Sequence, residues 1–228
     1  MTQAGSKKPK RDAQMPRVSE PRWPAALAML ALCGLYAGLP PSLLVGGPRW
    51  VVPSLMLMLL VPAVVTHRSG RHRVNQLLGY ALNGVVTLAM IVSLWLLIEA
   101  LPAHRETSVQ LLLSAAGLWV ANILVFASWY WRLDAGGPHA RALTTAHTDG
   151  AFLFPQMAMD PQVKIATGEQ SWSPHFIDYL FLAFTTSTAF SPTDTPPLSR
   201  WAKVLMMLQS MISLLAIALL AGRAINIL

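Results

Sequence analysis

Long apolar runs, separated by short polar and mostly basic segments, dominate the pattern of the chain. An α-helix needs roughly 20 apolar residues to cross a hydrocarbon core of about 30 Å, and five runs approach or exceed that length. These are residues 24–45, 51–66, 77–101, 109–131 and 198–225. A shorter apolar segment covers residues 176–190. The pattern predicts an all-α integral membrane protein, with a helical bundle of five long transmembrane helices and a short sixth apolar helix that is either spanning or re-entrant.

Composition agrees with this interpretation. Hydrophobic residues make up 54% of the 228 residues and charged residues only 12%, whereas about a quarter of the residues of a soluble domain are charged. The chain divides into a polar, basic arm at residues 1–23, a four-helix transmembrane region at 24–131, a long loop at 132–175 and a helix-turn-helix hairpin at 176–228. The arm has the composition of a disordered cytoplasmic segment; the alternative is that its cations hold it to anionic lipid.

The positions of lysine and arginine predict how the bundle is oriented. Twelve of them fall on the side of the amino terminus: Lys7, Lys8, Lys10, Arg11, Arg17, Arg22, Arg68, Arg71, Arg73, Arg132, Arg141 and Lys164. The other side receives Arg49, Arg105, Arg200 and Lys203, and Arg223 lies near the end of the last run. Because cytoplasmic loops carry the excess of basic residues, we expect a multi-pass protein of the cell inner membrane with a cytoplasmic amino terminus. The net charge of +7 then reflects topology, and we expect the lipid bilayer as partner and no nucleic acid.

The short segment at residues 176–190 decides the topology. Four runs precede it, so the loop at 132–175 lies in the cytoplasm, and a crossing segment would put residues 193–197 outside. Its fifteen residues give about 22 Å of helix, which is short for a crossing but workable with local thinning of the bilayer. We favour six crossings with both termini inside. The alternative is a re-entrant segment that returns to the cytoplasmic side.

Residues with catalytic or metal-binding chemistry are few. Cys33 is the only cysteine and lies inside the first run, and the six histidines have no close ligand spacing. The chain has no nucleophile elbow, no Walker-type phosphate loop and no dinucleotide fingerprint. We therefore expect no enzymatic activity, no cofactor and no metal site. The basic cluster at residues 67–73 is interpreted as a cytoplasmic anchor, with a phosphate or lipid-headgroup site as the alternative.

Polar residues inside the apolar runs are candidates for function, because burying them in lipid is expensive. Gln209 and Ser213 lie one turn apart on the last run, and Arg223 lies close to the same stripe. This last-helix polar stripe faces either other helices or a water-filled path. In the long loop, Asp134 opens a strong turn signal. The apolar residues 151–155 are expected to lie on the membrane surface or to pack beneath the bundle.

The hairpin carries a run of hydroxyl side chains between its two apolar helices. The candidate pore residues are Thr185, Thr186, Ser187, Thr188, Ser191, Thr193 and Asp194. They follow a short aromatic-rich helix. The chain resembles, without a gap, the T-T-x-T-T-V-G-Y-G-D-x-x-P pattern of the potassium-channel pore family at Thr185, Thr186, Thr188, Asp194 and Pro197. The resemblance covers roughly the last quarter of the chain. The hairpin is also similar to the carboxyl-terminal ends of some bacterial multi-pass membrane proteins.

Departures from that pattern fall in the ion filter. The family's glycines allow backbone carbonyls to replace the water shell of the ion, but the five filter positions here are Ala189, Phe190, Ser191, Pro192 and Thr193. Proline fixes its own φ and restricts the residue before it, so a potassium-selective filter is not expected. The alternative interpretation is that the hydroxyls bond back to their own helix and that residues 191–194 form a turn.

Two functional hypotheses follow from the sequence. In the first, the protein is channel-like or transporter-like with a non-potassium-selective hairpin, and the hydroxyl run and the last-helix stripe line a polar path in a homo-oligomer. In the second, it is a non-transporting membrane scaffold or partner subunit whose hairpin packs against another protein.

Overall fold

The computed structural model describes residues 20–45, 47–103, 107–143, 150–189 and 194–225. Within these ranges the protein consists of eight α-helices and four single 3₁₀ turns, with no β-strand. The helices are α1 (Trp23–Ala37), α2 (Val51–Arg68), α3 (His72–Ala103), α4 (Ser108–Leu133), α5 (Pro138–Leu143), α6 (Pro161–Thr167), α7 (Phe176–Thr188) and α8 (Arg200–Ile225). This all-α, membrane-like bundle confirms the fold class predicted from the apolar pattern.

Four helices, α2, α3, α4 and α8, are long and apolar enough to cross a membrane, and α1 is a shorter apolar helix. The predicted first span at residues 24–45 is therefore too long. Its helix ends at Ala37 because Gly38 is followed by Pro40 and Pro41, and a proline within a helix removes a backbone hydrogen bond. Leu43 is fully buried beyond that break, so the irregular segment still packs in the bundle.

Helix α4 forms the centre of the bundle. It packs against α1, α3, α7 and α8, and 61% of its most apolar window is buried, against 17% for α2 and 17% for α8. The uncovered side chains of α2 and α8 are large and apolar, such as Met58, Met207 and Met211. Lipid tails are as apolar as these side chains, so such faces suit a membrane-embedded bundle.

Polar contacts around the end of α4 fix where several helices begin; we call this region the loop end of the bundle. There Trp131 donates its indole N–H to Glu20, and Arg22 Nη1 lies 3.3 Å from Asn75 Oδ1. Glu20 and Arg22 directly precede α1, and Asn75 lies in the first turn of α3. Helices α1 and α3 therefore begin where α4 ends.

Helices α7 and α8 run in the same direction, antiparallel to α4. Near the loop end, the ring of Phe152 contacts the ring of Tyr179 in α7 and that of Trp201 in α8, at centroid distances of 6.3 and 5.9 Å. Deeper in the bundle, Ser213 Oγ donates to the Ser187 carbonyl at 2.7 Å. Both helices therefore begin at the loop end and run inwards side by side.

The segment after α7 lies back at the loop end. Phe152 forms an antiparallel bridge with Pro197, and the Leu198 N–H donates to the Ala151 carbonyl at 2.7 Å. The 13 residues of α7 span about 20 Å, so this helix enters the bundle from the loop end without reaching the opposite one. The favoured prediction of six crossings is wrong, and the structure has the re-entrant alternative.

The re-entrant α7 also changes the relation between the two ends of the chain. Residue 20 lies at the loop end, whereas α8 runs from the loop end to residue 225 at the opposite one. The two termini themselves lie outside the described residues, but residues 20 and 225 lie at opposite ends of the bundle, unlike the predicted arrangement with both ends on one side. The physical reason is the backbone pairing between the long loop and residues 196–198, which hydropathy alone does not reveal.

The long loop is a folded cap in its described parts. The predicted turn follows Asp134, where Gly136 and Gly137 adopt left-handed φ values of 76° and 92° that favour glycine. Phe152 and Phe154 are buried. Residues 151–155 therefore pack beneath the bundle, which is one of the two arrangements predicted for them.

Candidate functional site

Helix α7 carries several candidate pore residues, and its two faces differ in chemistry. Asp178 Oδ2 accepts a hydrogen bond from the His175 N–H at 2.7 Å, which caps the helix and places a negative charge at its positive end. The inner face buries Phe176, Tyr179, Leu182, Ala183, Thr186 and Ser187. The outer face exposes Ile177, Phe181 and Phe184, which suits lipid or another apolar surface.

Three of the candidate pore residues bond back to their own helix. The hydroxyls of Thr185, Thr186 and Thr188 donate to carbonyls one turn earlier, at 3.0, 2.7 and 3.0 Å. Thr186 is buried, Thr185 is half-buried and Thr188 is exposed at the end of the helix. These three side chains therefore follow the alternative interpretation from the sequence, in which the hydroxyls bond back to their own helix.

The inner end of α7 presents carbonyl groups that no further helical turn satisfies. Helix α8 supplies donors for them. Ser210 Oγ lies 3.5 Å from the Thr186 carbonyl oxygen, and Ser213 Oγ donates to the Ser187 carbonyl oxygen at 2.7 Å. Because no water reaches the core of a bilayer, each unsatisfied carbonyl there costs several kcal/mol. The last-helix polar stripe therefore stabilises a helix end inside the bundle.

Gln209 is the centre of this network and is 0% exposed. Its Nε2 donates to the Ala183 carbonyl oxygen at 2.6 Å and to Ser187 Oγ at 2.8 Å. Its Oε1 accepts from the Tyr130 hydroxyl at 2.5 Å, and its backbone carbonyl accepts from Asn122 Nδ2 at 3.2 Å. One residue of α8 thus joins α7 to α4.

Ser213 completes the network. While it donates to Ser187, its Oγ accepts from Trp119 Nε1 in α4 at 3.0 Å. Ser213, like Gln209, is 0% exposed, so within one chain these two members of the stripe face other helices and no water-filled path. Arg223, the third predicted member, lies near the far end of α8, away from the loop end.

Of the remaining candidate pore residues, the structure describes only Asp194, which is not part of this network. Ser191 and Thr193 lie outside the described residues. Asp194 is exposed and directly precedes the segment that pairs with the long loop. Thr188 therefore lies at the inner end of α7, whereas Asp194 lies at the loop end.

A second polar cluster, which the sequence analysis missed, holds the start of α7. Asp134 is fully buried; its Oδ2 accepts from the Tyr179 hydroxyl at 2.5 Å and its Oδ1 from the Ala151 N–H at 2.5 Å. Arg141 donates to the Asp134 carbonyl at 2.9 Å and forms an ion pair with Glu20 at 3.2 Å. A buried carboxylate needs such donors. The available signal was an aspartate placed directly after a long apolar run.

Comparisons with protein-family models, with curated proteins and with solved structures found no match to this chain. The similarity to the potassium-channel pore family therefore stays an expectation from the sequence. Function is inferred from geometry, namely from a short helix that enters the bundle from the loop end, ends inside it and is held by polar contacts at both of its ends.

Proposed function

We propose that the protein is a channel-like membrane protein in which the re-entrant α7 borders a path for small cations. The observation that carries this proposal is the position of α7. Its inner end is held by Gln209 and Ser213, and the chain is back at the loop end by Pro197.

The cost of this arrangement supports a functional role. Non-helical backbone at membrane depth is tolerated only where protein buries it or where it lines a water-filled cavity. Broken helices of this kind place their ends at the ion and substrate sites of transporters. The inner end of α7 is its carbonyl end and therefore the negative end of its dipole. A path at that point would favour cations over anions.

Such a path requires several copies of the chain. Gln209 and Ser213 are fully buried within one copy, so the polar stripe is already occupied by α7 and α4. Thr188 is exposed at the inner end of α7, and most of α8 is uncovered. We therefore place the path at the exposed inner end of α7, around Thr188, where neighbouring copies would meet in a homo-oligomer.

The distribution of basic residues supports a cytoplasmic loop end. Arg200 and Lys203 belong to the first turn of α8 and so lie at the loop end. Among the described residues, nine of the eleven Lys and Arg residues belong to the loop end, and Arg49 and Arg223 belong to the opposite one. Under the positive-inside rule, the amino terminus is cytoplasmic and α7 enters the membrane from the cytoplasm.

The test is cation flux into proteoliposomes that contain the purified full chain, measured separately for potassium and sodium. We expect flux for at least one of them, and we expect Thr188→Val to change it severalfold because the exposed hydroxyl at the end of α7 is lost. Thr167→Val in α6 is the matched control, since its hydroxyl also bonds back, to the Val163 carbonyl at 2.9 Å, but lies outside the hairpin. Cation flux through the Thr167→Val variant should equal that of the wild type.

Absence of flux for both cations, from protein that is folded and reconstituted, would contradict the proposal. That result would favour the alternative of a non-transporting scaffold or partner subunit. The alternative predicts a co-purifying partner that is lost when the loop at 132–175 is altered.

A further inference from the structure

An open cavity of about 590 Å³ lies at the loop end, between the start of α3, the end of α4 and the turn before α5. No Asp or Glu is among its lining residues in the described part of the chain. The cationic and imidazole side chains that line it are Arg22, Arg71, His72, Arg73, Arg132 and His139. They come from three stretches of sequence that the fold brings together.

Arg132 is the most deeply placed of these side chains. Its guanidinium occupies the space beside Gly79, where a Cβ would lie 1.8 Å from Nη1, and it lies 5.2 Å over the ring of Trp131. Its Nε is buried without a hydrogen-bond partner. The ion pair found within the described residues joins Arg141 to Glu20 and leaves Arg132 without a carboxylate. A buried guanidinium is costly unless an anion accompanies it.

The described side chains that line the cavity beside Arg132 supply no negative charge. The rings of His72 and His139 stack with centroids 3.5 Å apart. Burial, then His72 and then Arg22 lower the pKa of His139 below its ordinary value. Burial also lowers the pKa of Arg22, although Glu20 raises it. An anion bound in the cavity would offset the repulsion between its positively charged groups.

We propose that this cavity binds a phosphate group, supplied either by the headgroup of an anionic lipid or by free inorganic phosphate. Arg132 offers a planar set of donors that suits phosphate oxygens, while Arg22 contributes charge at the rim. Basic pockets of this kind on the cytoplasmic side of membrane helices suit lipid headgroups. The inference rests on the bundle and its loop end, and it stands whether or not the protein conducts ions.

The experiment measures thermal unfolding of the purified full chain in neutral detergent during three titrations. These use phosphatidylglycerol, phosphatidylcholine and inorganic phosphate. Saturable stabilisation by phosphatidylglycerol but not phosphatidylcholine would support the lipid source, and native mass spectrometry should then show one retained lipid for each chain. Saturable stabilisation by inorganic phosphate alone would support the free anion. No difference between the three titrations would overturn the proposal.

Two variants with matched controls locate the site. Arg132→Gln should weaken the apparent affinity about tenfold or more, because the central donor set is lost, whereas Arg200→Gln removes an exposed cation at the same end of the bundle and should leave it unchanged. Gly79→Ala should weaken it by displacing the Arg132 guanidinium. The control is Gly84→Ala in the same helix. A Cβ added there meets no other atom within 4 Å, so the affinity should be unchanged.

Stability without ligand separates a binding role from a structural one. Arg132→Gln removes an unpaired charge, so its unfolding temperature in phosphate-free detergent should equal or exceed that of the wild type. Unaltered affinity in both Arg132→Gln and Gly79→Ala would overturn the proposal. Should Arg132→Gln fail to fold, Arg22→Gln provides the same test at the rim, with an expected loss of affinity of severalfold.

Discussion

Ser213 in α8 donates its hydroxyl to the backbone carbonyl of Ser187 in α7, across 2.7 Å, and the two helices run in the same direction. Successive helices that begin at the same end of a bundle require the chain to come back between them. The bridge between Phe152 and Pro197 is the point at which it has done so. The polar stripe of α8 and the pairing of the long loop therefore act together. They hold a half-length helix inside the bundle.

Gln209→Leu should destabilise the protein by about 2–3 kcal/mol, because the Ala183 carbonyl and the Tyr130 hydroxyl lose a buried partner. Chemical unfolding in detergent measures the change. Met211→Leu is the control, since Met211 is 68% exposed on the same helix and should shift stability by less than about 0.5 kcal/mol. Equal stability of Gln209→Leu and the wild type would mean that the network does not hold α7.

Phe152→Ala tests the packing of the long loop against the hairpin. Phe152 is 0% exposed, and its ring contacts the rings of Tyr130, Tyr179 and Trp201 at 5.1, 6.3 and 5.9 Å. Truncation of a buried phenylalanine costs about 3–5 kcal/mol. Phe181→Ala, at a position that is 61% exposed, should cost much less in the same unfolding assay. Comparable losses for both variants would contradict the folded-cap description.

Tyr179→Phe tests the clamp at the start of α7. It removes the hydroxyl that donates to Asp134 Oδ2 at 2.5 Å and leaves a fully buried carboxylate with one donor fewer. We expect a loss of about 1–3 kcal/mol. Tyr80→Phe is the control, because the Tyr80 hydroxyl accepts an exposed hydrogen bond from Gln76. The prediction fails if the two variants unfold at the same denaturant concentration.

Phosphatidylglycerol affinity should depend on pH through His139. Burial, His72 and Arg22 lower the pKa of its imidazole, so the empty cavity holds His139 neutral until the pH falls below its ordinary value of about 6.5. Protonation then adds positive charge while the lipid phosphodiester keeps its own charge, and binding should tighten as the pH falls. The other groups that face the cavity are Arg22, Arg71, His72, Arg73 and Arg132.

His139→Gln should flatten most of that pH dependence while leaving binding near neutral pH little changed. The measurement is the apparent affinity for phosphatidylglycerol in neutral detergent at several pH values. A slope that persists unchanged in His139→Gln would assign the proton to another group and contradict this prediction.

The apolar pattern predicted the bundle well, because the length and composition of a membrane-crossing helix are set by the bilayer itself. The runs at 51–66, 77–101, 109–131 and 198–225 correspond to α2, α3, α4 and α8. The first run was predicted too long. Pro40 and Pro41 were visible in the sequence, but the apolar residues beyond them, such as Leu43, continued the hydropathy signal past the end of the helix.

The direction of α7 could not be predicted from hydropathy, for a different reason. A short apolar helix looks the same whether it crosses or returns, and the contacts that decide between these alternatives are distant in sequence. They are the pairing of Phe152 with Pro197 and the hydrogen bond from Tyr179 to Asp134. The basic residues did contain a signal for the direction of α7, because Arg200 and Lys203 fit the positive-inside rule only when α7 is re-entrant.

The most direct test of the re-entrant α7 is the labelling of single cysteines by a membrane-impermeant maleimide, in cells and in inverted vesicles. In a Cys33→Ser background, the cysteines replace Ala166 in α6, Asp194 after α7 and Arg49 before α2, all of which are exposed. We predict that positions 166 and 194 label from the same side of the membrane and position 49 from the other. Labelling of position 194 together with position 49 would contradict the account, because α7 would then cross the bilayer.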